Sequence, residues 1–151
     1  MARTSERDLR TRLYYDPPAH ARHQRFSARV SDTLLPLASA LIDACGEWDD
    51  AVLWITEWGV WPSHEDWPAY YAARGARGER RALSDTPGHR FDATERAVLA
   101  EFMVHVFRNG WDAFVLTALR AQLNPVRVRL SHDEWIEVQS DDGAIRPATD
   151  V

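Results

Sequence analysis

Apolar residues fall into a few short periodic runs along the chain. Between Thr33 and Cys45, Leu34, Leu37, Leu41, Ile42 and Cys45 recur at helical spacing. Asp32 or Thr33 is placed to cap this helix, and Pro36 falls in its first turn, where amides lack intrahelical partners. Gly46 is expected to end it in a left-handed conformation. Ala51-Val52-Leu53-Trp54-Ile55 is a continuous apolar run between Asp49-Asp50 and Thr56-Glu57, the pattern of a central strand buried on both faces. A second helix is expected through Trp67, Tyr70, Tyr71 and Arg74, capped by Ser63 or Asp66. Asp66 suits better, because it leaves Pro68 in the first turn. Gly75 and Gly78 break this helix, and a flexible basic loop is expected to about Arg90.

Asp92-Ala93-Thr94-Glu95 has the form of a capping box, and Val98, Leu99, Phe102, Met103 and Val106 make the buried stripe of a third helix. Asn109-Gly110 stops it, and Trp111 to Leu116 is expected to be a strand. Val126 to Leu130 and Ile136 to Val138 alternate in polarity around Ser131-His132-Asp133-Glu134, which predicts a hairpin with one wet face. The order of elements predicts an α+β fold: a small, mostly antiparallel sheet of about four strands with three main helices packed on one face. Residues 1–30 are expected to form an Arg-rich N-terminal arm, 31–140 a single domain, and 141–151 a loosely ordered acidic tail.

A length of 151 residues suits one domain, and 45% hydrophobic with 27% charged residues excludes a disordered chain, a collagen-like fibre and a disulfide scaffold. Cys45 is the single cysteine, so an intramolecular disulfide and a cysteine-based zinc knuckle are both excluded. The start of the chain is too polar for a signal peptide, and the longest apolar stretch, Leu34 to Ile42, is too short to cross a bilayer. A cytoplasmic protein with no membrane partner is the expectation. All 18 basic residues are Arg, which removes lysine Schiff-base chemistry.

Charge is distributed in blocks that the net value of -5 conceals. Residues 1–30 carry +4, 31–73 carry -8 without a single Arg, 74–90 carry +3, and 91–151 carry -4. Blocks that stay apart in the fold favour oriented docking on a charged partner; basic blocks folded back onto acidic ones cancel instead.

Three groups of residues could carry function. The first is the Trp-rich turn after the apolar strand. Trp58, Trp61 and Trp67 would supply aromatic anchors, and Asp49, Asp50, Glu57, Glu65 and Asp66 would steer a basic partner. This predicts a small non-enzymatic protein-binding module of the inhibitor, immunity or accessory-subunit kind, without a cofactor. The second group is His64, Asp66, His132, Asp133 and Glu134, the right residue types for a metal- or His/carboxylate-dependent hydrolase should the two histidines converge. Neither stretch has a recognised metal-ligand spacing, so no metal is expected; Glu101 and His105, four apart on a helix, are compatible with a ligand pair and equally with a solvated one. The third group is Arg7, Arg10, Arg12, Arg22 and Arg25 in the arm, interleaved with aromatics, which suits contact with a nucleic acid. The acidic block and the absence of a nucleic-acid-binding signature weigh against it.

Overall fold

The computed structural model describes residues 22–27, 34–118, 126–133 and 135–140. Among these residues six strands form one antiparallel sheet: β1 (Arg22–Ser27), β2 (Asp50–Glu57), β3 (Gly88–Asp92), β4 (Asp112–Ala118), β5 (Arg127–Leu130) and β6 (Trp135–Ser140). Their spatial order is β1-β6-β5-β4-β2-β3. Three α-helices accompany them among the described residues: α1 (Leu34–Ala44), α2 (Trp67–Ala76) and α3 (Arg96–Asn109). The α+β class and the antiparallel sheet are as the residue pattern predicts, but the sheet has two strands more than the four expected.

Both additional strands sit at the sheet edges. β3 forms where a flexible loop is expected, because its inward positions are His89 and Phe91, and a histidine does not register in an apolar count. β1 lies inside the segment read as an Arg-rich arm, with Arg22 opposite Ser140 and Arg25 opposite Glu137. The remainder of the arm, the expected caps Asp32 and Thr33, and the tail 141–151 lie outside the described residues.

Strand pleating sorts the sheet into two faces. Ala51, Leu53, Ile55, Phe91, Ala113, Val115, Val128, Leu130, Ile136 and Val138 share one core cluster with Leu41 and Ile42 of α1, Tyr70 of α2, and Leu99, Phe102 and Met103 of α3. On the opposite face Val52 pairs with Leu116, and both are buried. The central strand is therefore closed on both faces, as its unbroken apolar run predicts.

The helix ends follow the local signals. Asp66 caps α2 by accepting the Ala69 N–H at 3.1 Å, and Pro68 occupies the first turn. Asp92 and Glu95 form the capping box that leads into α3. Gly110 ends α3 at φ +60°, where a side chain would be strained.

The second basic block folds back onto carboxylates. Arg77 pairs with Glu95 at 2.6 Å, Arg81 with Glu79 at 2.5 Å, and Arg90 reaches Asp50 of the acidic block at 3.0 Å. Arg74 is fully buried. Part of the charge separation seen along the chain is cancelled by these contacts.

Candidate functional site

One end of the sheet gathers the end of β2, the start of β4, the β5–β6 turn and the Trp-rich segment 58–67. A bulge creates its central feature. Ile55 pairs with Ala113 but Glu57 pairs with Asp112, so two residues of β2 run against one of β4. The extra residue moves Glu57 out of the core-facing alternation and sets it directly opposite Asp112. Like charges across a strand pair repel, so this placement calls for a compensating group.

His132 supplies part of it. The Asp112 carboxylate accepts the His132 backbone N–H at 2.7 Å, and its Oδ1 lies 2.8 Å from the ring Nδ1. The Asp112 hydrogen bond, together with the nearby charges of Asp133 and Glu57, raises the His132 pKa above its ordinary value, burial opposing the rise. Asp133 Oδ1 stands 3.5 Å from Nε2 of the same ring. One ligand atom each from Glu57, Asp112 and His132 lies within 4.8 Å of the other two.

The Trp-rich segment is held by Glu65. Its Oε1 accepts the Gly59 N–H at 2.6 Å and the Trp111 indole N–H at 2.5 Å, and its Oε2 accepts the Trp67 indole N–H at 2.9 Å. Trp67 stacks on Tyr71 and lies against Trp111, so it is a packing residue. Asn109 completes the frame, its Oδ1 accepting the Asp66 N–H at 2.6 Å while its amide donates to the His105 carbonyl at 2.8 Å. On this frame Trp58 is 36% exposed and Trp61 is 50% exposed. Trp61 Cδ1 would lie 3.0 Å from a Cβ built on Gly110, so the indole rests against that glycine.

Comparisons with protein-family models, with curated proteins and with solved structures give no match.

The residues singled out from the sequence are thus redistributed. Glu57, Trp58, Trp61 and Asp133 stand exposed at this end. Glu65 and Trp67 form the frame behind them, and Asp66 is occupied as a helix cap. Asp49 and Asp50 lie at the other end of β2, roughly 20 Å away at the rise of a strand, and Asp50 is paired with Arg90. His64 sits exposed in the short 3-10 turn Pro62–His64, and the group that forms around His132 contains Glu57 and Asp112 rather than His64 or Asp66. Glu134, Arg7, Arg10 and Arg12 lie outside the described residues. Glu101 is exposed, while His105 is half-buried against the rings of Tyr70 and Phe102.

Asp112 is the member that sequence reasoning missed. Its signal was a carboxylate inside an otherwise apolar strand start, Trp111-Asp112-Ala113, where burial of an acid demands a partner.

Proposed function

We propose that this chain is a small, non-enzymatic, cytoplasmic protein-binding module, of the inhibitor, immunity or accessory-subunit kind, that docks through Trp58 and Trp61 onto a basic surface of a partner protein. The observation that carries this reading is the exposure of two indoles on a hydrogen-bonded frame. Gly59, between them in sequence, is tied to Glu65, and Trp61 rests on Gly110. Large aromatic side chains that need little ordering on association are the residues whose truncation most often costs binding energy. Glu57 and Asp133 are exposed at the same end of the sheet and supply the negative rim that steers a cationic partner. Asp49 and Asp50 have no part in this surface, because they lie at the far end of β2.

A hydrolase built on His64 and His132 together draws no support from the residues gathered around His132. For the nucleic-acid reading, Arg22 and Arg25 belong to edge strand β1.

Affinity capture with the wild-type chain and with a Trp58→Ala/Trp61→Ala double variant tests the docking reading. Partner proteins held by the wild type should be lost by the double variant and weakened by Glu57→Arg, and their retention should fall as salt is raised. Recovery of the same partners in the same yield by a folded double variant overturns it.

A further inference from the structure

We propose that Glu57, Asp112 and His132 form a binding site for a first-row divalent transition metal, with Zn2+ the best-suited ion. The three come from separate elements, the end of β2, the start of β4 and the β5–β6 turn, and one ligand atom of each already lies within 4.8 Å of the others. Zinc bonds of about 2.0–2.2 Å to nitrogen and oxygen place tetrahedral ligand atoms roughly 3.3 Å apart. The exposed Glu57 side chain can turn to close that difference, and the ion takes the place of any proton on the ligating imidazole nitrogen. Asp112 is buried, and His132 is fixed at both its backbone N–H and its ring.

The electrostatics favour a cation at this point. The bulge in β2 sets the Glu57 carboxylate opposite that of Asp112, and Asp133 adds a third carboxylate within 3.5 Å of the His132 ring. A divalent ion between Glu57 and Asp112 turns a repulsive pair into a favourable one. One imidazole with carboxylate oxygens is a mixed donor set that suits zinc and its neighbours better than Ca2+ or Mg2+, which take oxygen-rich shells. Three protein ligands leave a fourth position on the exposed Glu57 side, open to water or to a donor group from a docked protein. The site goes beyond the docking reading and stands without it.

Calorimetric titration of the chelator-stripped full chain with ZnCl2 tests the site. The wild type should bind one equivalent saturably, and Glu57→Gln and His132→Gln should each weaken binding by roughly tenfold or more. The His132 ring resonances should shift with stoichiometric zinc while those of His89 stay in place, a readout that requires no variant. The Trp58→Ala/Trp61→Ala variant should bind zinc like the wild type, which separates this test from that of docking. Absence of saturable binding, unmoved His132 resonances, or equal affinity in folded Glu57→Gln and His132→Gln overturns the proposal.

Discussion

Two histidines mark two regions that use the same side chain in opposite ways. His132 lies at the Glu57 end of β2, its Nδ1 against the Asp112 carboxylate, which raises its pKa above the ordinary value. His89 lies beneath α2, with its Nε2 2.7 Å from the Tyr70 hydroxyl, and it is buried among aromatic rings. Burial, with help from the nearby charges of Arg74 and Arg77, pushes the His89 pKa down to about 3. Arg74 is itself buried, covered by the faces of Tyr70 and Tyr71 and bonded to the Thr86 hydroxyl at 2.7 Å. The lesson is that a carboxylate partner near the surface and burial in the interior shift the pKa of one residue type in opposite directions. The first region holds the proposed metal site, and the second packs α2 on the sheet.

The largest test of this division falls on Trp111, which walls both regions. Its ring packs against Tyr70 and Trp67, and its N–H is held by Glu65. Trp111→Ala should cost about 3–5 kcal/mol in urea denaturation and loosen the Trp58–Trp61 segment with it. Little loss would mean that the two regions do not share a wall.

Next in size is the pH dependence. The unfolded His89 takes up a proton near pH 6.5, but the folded one resists until about pH 3. Its contribution to stability is therefore complete above the unfolded value and is lost as the pH falls. Between about pH 6.5 and 5, above the carboxylate range, the loss should be roughly 2 kcal/mol. His89→Gln should flatten that slope in chelator-containing buffer, and an unchanged slope would break the comparison.

Gly110→Ala should cost about 1–2 kcal/mol, since alanine is strained at positive φ and its methyl would press on Trp61. The same variant should raise the exposure of Trp61, read as a red shift of its fluorescence.

The smallest effect belongs to His132. Its raised pKa gives stability that is complete below the unfolded value and fades as the pH climbs through the folded one. Because the ring is partly exposed, His132→Gln should cost about 0.2–1 kcal/mol at pH 5 and less at pH 8. A larger loss at pH 8 would reverse the assigned sign.

Legibility followed the physical scale of each signal. α1, α3, β2 and the β5–β6 hairpin were readable because their signals are local: apolar period, caps, and Gly46 and Gly110 as left-handed stops. β3 was not, because His89 faces inward as a neutral side chain and gives no apolar count. Glu65 read as one more acid of the -8 block, yet three hydrogen bonds make it the anchor of the Trp-rich segment. Glu57 and His132 were both candidates on residue type. Their meeting through Asp112 depends on a one-residue bulge that no local pattern announces.

By itself the sequence determined the class of fold, the places where most helices and inner strands begin and end, and the aromatic turn as the place to look. Those properties depend on backbone preference and burial period, which act over a few neighbouring residues. Tertiary structure alone decided which acids face solvent, which are consumed as caps and anchors, and which stand beside His132. Asp49 and Glu57 carry the same charge in the same block, but a strand of eight residues holds them at opposite ends of the sheet. Charge and residue type are written along the chain; proximity between distant segments is set by strand register.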